Sequence, residues 1–92
     1  MNDNDRRAAF LGAQVDPHIP VIDLHLADGL EVALSQLEYE LDKVSRTDAR
    51  YCRVIHGIGS GVLAETVHKF LTKNKQILGF EEESGGSCIV LF

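Results

Sequence analysis

The feature that most constrains the fold is a stripe of apolar side chains in the middle of the chain. The stripe recurs at steps of four, three, four and three residues: Leu30, Leu34, Leu37, Leu41 and Val44. This spacing places all of them on one face of an α-helix and leaves polar side chains on the other. The stripe therefore predicts an amphipathic helix that covers a neighbouring element. We expect it to begin at a capping box of Asp28 and Glu31 and to end between residues 45 and 48.

Segments typical of β-strands flank this helix and recur toward the end of the chain. The predicted strands cover residues 21–25, 51–55, 77–81 and 88–92. A second amphipathic helix is expected from about Ser60 to Asn74, and a glycine-rich turn joins the last two strands. The order predicts an α/β fold: a two-layer sandwich with a four-stranded mixed sheet in βαβαββ order. Its first two strands are parallel, and both main helices lie on one face.

The first 19 residues differ from the rest of the chain in being polar, and they carry Gly12 and Pro17. Pro17 and Pro20 exclude a helix through residues 16–20, because proline lacks an N–H and restricts the residue before it. Residues 6–11 are expected to form only a short helix. We therefore predict an N-terminal leader or flank over residues 1–19 and an α/β domain over residues 20–92.

Composition narrows the classes of protein that fit. A chain of 92 residues with 45% hydrophobic and 25% charged residues is typical of one globular domain rather than of a disordered chain or a coiled coil. No apolar run reaches the roughly 18 residues that span a bilayer, and no secretory signal is expected at the N-terminus. Cys52 and Cys88 form no CxxC motif, which favours reduced cysteines in a cytoplasmic protein without membrane contact.

Charge is distributed unevenly along the chain, whose net charge is −5. Residues 1–49 carry four basic and ten acidic side chains (net −6), and residues 76–92 carry three acidic ones (net −3). Residues 50–75 carry five basic side chains and one acidic one (net +4). The basic residues of this third are Arg50, Arg53, Lys69, Lys73 and Lys75. This pattern fits either a face that attracts nucleic acid or a helix whose lysines are simply solvated.

Residues 56–61, His-Gly-Ile-Gly-Ser-Gly, are the strongest local signal. Three glycines between a strand and a helix let the backbone approach a ligand, and the N–H groups at a helix start favour an anion such as phosphate. The pattern fits neither GxGxxG nor the lysine-bearing Walker loop. A tight turn that needs positive φ angles remains the alternative.

Three titratable side chains are predicted to meet beside this loop. Asp23 and His25 end the first strand, His56 ends the second, and carboxyl ends of parallel neighbours share one sheet edge. The three residues fit either an acid/base group for phosphodiester cleavage or a metal site of two histidines and one carboxylate. His18 is expected on the surface and His68 on a solvated helix flank. The acidic run 81–83 is expected in water.

Together these segments resemble the Smr (small MutS-related) domain over residues 20–92. The LDxH-type motif of that family falls on Asp23 and His25, preceded here by Ile22. The HGxGxG-type motif falls on His56, Gly57, Gly59 and Gly61, and Gly85 and Gly86 precede an apolar last strand. The resemblance implies a domain found alone or at the end of MutS2 proteins. It also implies that the domain binds DNA or RNA, and several members nick or cut it.

The chain departs from the family pattern at three positions. Leu26 stands where many members have glycine, and Ile58 and Ala64 stand where many have basic residues. Two phosphate contacts that the resemblance implies are therefore missing. Each lost cation weakens binding to nucleic acid and flattens its dependence on salt.

The favoured hypothesis is a nuclease domain that nicks DNA or RNA through Asp23, His25 and His56. Divalent metal (Mg²⁺ or Mn²⁺) is left open, as is membership of a larger MutS2-like chain. The residues expected to hold phosphate or nucleic acid are Gly57, Gly59, Ser60, Gly61, Arg53, Lys69 and Lys73. One alternative is a non-catalytic module that binds nucleic acid in a MutS2-like or ribosome-associated assembly. Another is a domain that binds a protein or a small phosphate ligand.

Overall fold

The predicted alternation of strands and helices is present in the computed structural model, which describes residues 2–92. The elements are α1 (Asp3–Val15), β1 (Val21–Asp23), α2 (Leu30–Ser45), β2 (Tyr51–Ile55), α3 (Val62–Lys73), β3 (Gly79–Glu83) and β4 (Ser87–Leu91). No helix within residues 2–92 has the length and apolar character needed to cross a bilayer.

The sheet has the strand order β1-β2-β4-β3. β1 and β2 run parallel, as expected for strands joined by a crossover helix, and β4 runs antiparallel to both of its neighbours. Cys88 in β4 lies opposite Val54 in β2 on one side and opposite Glu82 in β3 on the other. The α/β class and the mixed four-stranded sheet in βαβαββ order are thereby confirmed.

The main core lies between the sheet and the helices α2 and α3. Its buried side chains come from alternate positions of three strands and from the apolar stripes of both helices. They are Ile22, Leu24, Leu37, Leu41, Cys52, Val54, Val67, Leu71, Cys88 and Val90. Because these alternate strand positions are buried under the helices, the remaining side chains of β1 and β2 face the opposite side of the sheet.

The second face of the sheet is covered in part by α1. Phe10 and Ala13 pack there against Ile89 and Leu91 of β4, which explains why every residue of β4 is buried. The helix is longer than the predicted segment 6–11, because the side chain of Asn2 accepts a hydrogen bond from the Asp5 backbone N–H and caps it. The division of the chain between residues 19 and 20 stays a prediction.

Three predicted details are wrong. The strand β1 stops at Asp23, so His25 lies in the following turn. The strand β3 is shifted by two residues from the predicted 77–81, because its ladder with β4 begins at the Gly79–Leu91 pair and continues to Glu83. The capping box does not form, since Gly29, with a φ of +92°, is the N-cap of α2 and no side chain caps this helix.

Candidate functional site

Three loops meet at the sheet end where β1 and β2 finish. The backbone N–H groups of His56 and Gly57 donate to the Gly86 carbonyl at 3.0 and 2.9 Å, which joins the loop after β2 to the β3–β4 turn. A Cβ on Gly86 would lie only 2.6 Å from the Gly57 carbonyl carbon. A Cβ on Gly57 would lie 3.2 Å from the Cβ of His25 in the loop after β1. Glycine is needed at both positions, since the backbones approach closely and both φ angles are positive.

The glycine loop, residues 57–61, leads directly into α3. Gly61 is the N-cap of α3, no side chain caps the helix, and the Val62 N–H has only a long contact of 3.4 Å to the Ser60 hydroxyl. A shallow cavity of about 160 Å³ lies against the loop. It is lined by His56, Gly57, Ile58, Gly59, Ser60, Gly61, Leu63 and Ala64. Exposed N–H groups at the positive end of a helix favour an anion at this position.

On one side of the loop lies the Asp23–His25 pair. The Asp23 Oδ1 atom accepts hydrogen bonds from the backbone N–H of His25 at 3.1 Å and from its Nδ1 atom. The hydrogen bond from the His25 ring holds the pKa of Asp23 below its usual value. Both side chains are about half-exposed, and the Gln36 amide donates to the Asp23 carbonyl from α2. With Nδ1 held as a donor, His25 keeps Nε2 for proton exchange.

On the other side lies a group that we call the His56 cluster: His56, His68, Glu82 and Cys88. His56 is buried, its Nδ1 lies 2.9 Å from the Gly57 carbonyl and its Nε2 lies 2.8 Å from Glu82 Oε1. The His68 Nε2 atom contacts the same carboxylate oxygen. Burial raises the pKa of the Cys88 thiol to about 12, and the charge of Glu82 adds to this shift.

The two groups lie on different faces of the sheet. Asp23 pairs with Ile55 and alternates with the buried Ile22, so its side chain points away from α2 and α3. His56 instead contacts His68 of α3. Within residues 2–92 no hydrogen bond links the Asp23–His25 pair to His56, and the two groups approach each other only through Gly57.

The predicted basic contacts are not gathered at the glycine loop. Arg53 is bound by two hydrogen bonds, at 2.7 and 3.0 Å, to Glu83, and both side chains lie on the α1 face. Lys69 pairs with Glu65 at 3.2 Å on the exposed surface of α3. Lys73 is the last residue of α3, about 16 Å along the helix axis from its start. The structure therefore does not bring Arg53 or Lys73 to the loop.

Sequence reasoning missed the roles of Glu82 and His68. The expectation that residues 81–83 all lie in water is wrong, because Glu82 contacts two histidines and Glu83 binds Arg53. A signal was present in the run itself. Three consecutive carboxylates in a strand must place at least one on each face of the sheet, and both faces are covered here.

Comparison with known proteins identifies the family. The family model described as Smr domain matches residues 22–91, which include both sides of the glycine loop. The chain belongs to the Smr domain family. This domain is 36% identical over 67 residues to a protein named endonuclease MutS2 from Streptococcus gordonii and 34% identical over 68 residues to one from Thermomicrobium roseum. The matches cover 67% and 74% of this chain but only 9% and 8% of those relatives.

A solved structure supports the same fold. The crystal structure of the Smr domain of Thermus thermophilus MutS2 matches with a TM-score of 0.72 at 24% identity. The match covers 79% of this chain and 96% of that one. The chain thus spans about a tenth of the length of the curated MutS2 relatives it matches, which are much longer proteins.

Proposed function

We propose that this Smr domain binds nucleic acid and cleaves its phosphodiester bonds, with His25 as the general acid/base. The observation that carries the proposal is the position of the Asp23–His25 pair directly against Gly57 of the glycine loop. A phosphate held by the loop would lie beside a histidine ring that is oriented by a carboxylate and open to solvent. The name endonuclease carried by the MutS2 relatives agrees with this chemistry.

The glycine loop would bind one phosphate of the backbone. Its N–H groups and the positive end of α3 stabilise the negative charge that grows on the phosphate oxygens during cleavage. Gly57, Gly59 and Gly61 add no side chains to this surface, and the Ser60 hydroxyl offers a further donor. Lys69 lies on the same helix about two turns further along, where it can attract a neighbouring phosphate.

The Asp23–His25 pair would move the proton. The Asp23 carboxylate holds the imidazole through Nδ1, so that Nε2 accepts the proton of the attacking water or hydroxyl as the new P–O bond forms. The same proton can then be donated to the leaving oxygen as the old P–O bond breaks. Divalent metal, Mg²⁺ or Mn²⁺, remains a proposal for the substrate side, and no step above requires it.

His56 has a different part in this proposal. Both of its ring nitrogens are engaged, one by the Gly57 carbonyl and one by Glu82, so neither is available for proton exchange with substrate. Its contact to Gly57 fixes the peptide that lies against His25. We therefore assign His56 as a positioning residue, where the sequence alone suggested an acid/base.

A second candidate function is a nucleic-acid-binding module without catalysis. The residues that line the cavity at the glycine loop include neither lysine nor arginine, and Ile58 is 77% exposed there. Such a site would hold phosphate through backbone N–H groups and the Ser60 hydroxyl without a cation, so binding would be weak and would depend little on salt. Assembly with the rest of a MutS2-like chain would then supply the missing cations.

The test is a cleavage assay on supercoiled plasmid and on single-stranded RNA, each with Mg²⁺, with Mn²⁺ and with chelator. The parent is compared with His25→Gln and with the matched control His18→Gln, whose histidine lies in the loop before β1. We expect His25→Gln to lose at least about 100-fold in rate, the lower range for general acid/base catalysis, and His18→Gln to keep the parent rate.

The outcomes separate the two candidate functions. Equal rates for the parent and His25→Gln would contradict the proposed mechanism. Binding of either substrate by the folded parent without cleavage under any metal would support the non-catalytic module instead. Absence of binding at low salt would contradict both.

A further inference from the structure

The contact between His56 and Glu82 requires a positive charge between the two side chains. The Gly57 carbonyl can only accept a hydrogen bond, so the Nδ1 atom of His56 must donate to it. In the neutral ring, Nε2 then carries a lone pair, and it faces the Glu82 carboxylate at 2.8 Å. Two lone pairs at this distance repel each other unless a proton or a metal ion lies between them.

Other metal-binding atoms converge on the same point. His68 directs its Nε2 atom to the same oxygen of Glu82, and Cys88 lies opposite Glu82 in the sheet ladder. The four ligand atoms of His56, His68, Glu82 and Cys88 all lie within 4.8 Å of one another. They come from four different elements or their ends: β2, α3, β3 and β4.

From this geometry we infer that the His56 cluster is a site for a zinc-like divalent metal ion. Two imidazoles, one thiolate and one carboxylate form a ligand set suited to Zn²⁺ or Co²⁺, whereas Mg²⁺ prefers oxygen ligands alone. Zinc–ligand distances of about 2.0–2.3 Å place the ligand atoms of a tetrahedral site about 3.3–3.8 Å apart. The ligand atoms of the cluster, all within 4.8 Å of one another, lie close to this spacing.

The surroundings of the cluster match those of known metal sites. A histidine that binds metal usually donates its other ring N–H to a carbonyl or carboxylate, as His56 does to Gly57. His68 is oriented by its ring stacked on Phe80, with ring centres 5.2 Å apart. The side chains of Glu82 and His68 are 40% and 32% exposed, so the ion can enter from solvent on their side.

The inferred metal binding does not depend on the proposed nuclease activity. It involves the release of one proton. The Cys88 thiol releases its proton to solvent on binding, because a coordinated thiol is deprotonated by the ion. All four positions of a tetrahedral ion are then filled by protein atoms, which is the arrangement of a structural site. A bound ion would fix the Gly57 peptide through His56 and so stabilise the glycine loop.

The test uses Co²⁺ as a spectroscopic substitute for Zn²⁺ on the whole chain after treatment with a chelator. We expect one Co²⁺ per chain, visible bands of tetrahedral geometry and a sulfur-to-cobalt charge-transfer band. We expect Zn²⁺ to abolish these bands and excess Mg²⁺ to leave them unchanged. Cys88→Ser should remove the charge-transfer band, while Cys52→Ser, which alters the other buried cysteine of the same core, should keep it.

Two further variants test metal binding without altering the buried core, so that a loss of binding is not caused by unfolding. His68→Asn and Glu82→Gln alter side chains that are partly exposed and leave the core intact. Each should weaken Co²⁺ binding by at least about tenfold, the loss that even supporting residues outside the ligand set cause, and His18→Asn should not. The inference is overturned by binding without a charge-transfer band in the parent, by equal loss in Cys52→Ser and Cys88→Ser, or by unchanged affinity in His68→Asn.

Discussion

The two groups beside the glycine loop contain similar residues in different surroundings. In the Asp23–His25 pair, one carboxylate holds one imidazole, and both side chains are half-exposed. In the His56 cluster, one carboxylate is shared by two imidazoles, and both ring nitrogens of the buried His56 are occupied. The first arrangement leaves a nitrogen for proton exchange with a ligand. The second leaves His56 no free ring nitrogen. In our proposal, burial and the number of partners, rather than residue type, separate a reactive histidine from a positioning one.

The largest effect is expected where the two groups are joined. Gly86→Ala would press a Cβ to 2.6 Å from the Gly57 backbone, on top of the strain of a positive φ. We expect it to lower the free energy of unfolding by about 3 kcal/mol or more, as measured by urea denaturation. The matched control is Gly85→Ala, which has a similar φ but no atom within 4 Å, and should lose only about 1–2 kcal/mol. Equal losses would contradict the close approach of the two loops.

The next largest effect separates the groups by activity. Asp23→Asn removes the carboxylate that orients His25, so we expect the rate of nucleic-acid cleavage to fall at least about tenfold. Co²⁺ binding, followed by absorption, should be unchanged because Asp23 lies on the other face of the sheet. Glu82→Gln should weaken Co²⁺ binding and lower the cleavage rate by less than Asp23→Asn does, because His56 keeps its hydrogen bond to the Gly57 carbonyl. Parallel loss of both properties in either variant would show that the two groups act as one.

The groups are also separated by stability. His56→Ala removes a buried ring that makes two hydrogen bonds, and we expect a loss of about 2–3 kcal/mol in the free energy of unfolding. His25→Ala removes an exposed ring and should leave this free energy close to that of the parent. Urea denaturation of both variants measures the difference. A larger loss in His25→Ala would reverse the assignment of the buried and exposed groups.

The smallest effect is on the pH dependence of stability. The hydrogen bond from His25 lowers the pKa of Asp23 in the folded state below its ordinary value of 3.8. The ionised carboxylate therefore stabilises the fold above that value, and this contribution is lost as pH falls through the lowered pKa. Thermal unfolding at decreasing pH should show a small advantage of the parent over Asp23→Asn that vanishes in acid. An advantage that grows in acid would contradict the sign of the shift.

The fold was predictable because its signals are local. The stripe from Leu30 to Val44 and the β-branched segment 51–55 each specify an element and the face that it buries. Boundaries were less predictable where glycine decided them. Gly29 is the N-cap of α2 in place of the predicted capping box, and β3 begins at Gly79 instead of at the predicted residue 77.

Only those residues of the candidate site that stand in sequence motifs were predictable. The residues Asp23, His25 and His56 stand in recognisable patterns, but the partner of His56 does not. Its contact with Glu82 depends on where β3 lies in the sheet and its link to His68 depends on how α3 packs, and no local spacing encodes either. Strand register determines the face of the sheet on which each residue lies, and it places Asp23 and His56 on opposite faces.

In the proposed mechanism, acid/base chemistry belongs to the Asp23–His25 pair and not to the His56 cluster. The most direct test of this assignment is a nicking assay in which His25→Gln and His68→Gln are compared on one plasmid preparation. Each variant changes one partly exposed histidine, one from each side of the glycine loop. We predict that His25→Gln loses at least about 100-fold in initial rate, while His68→Gln remains within a few-fold of the parent. Loss of activity in His68→Gln with retention in His25→Gln would contradict the account and place the acid/base chemistry in the His56 cluster.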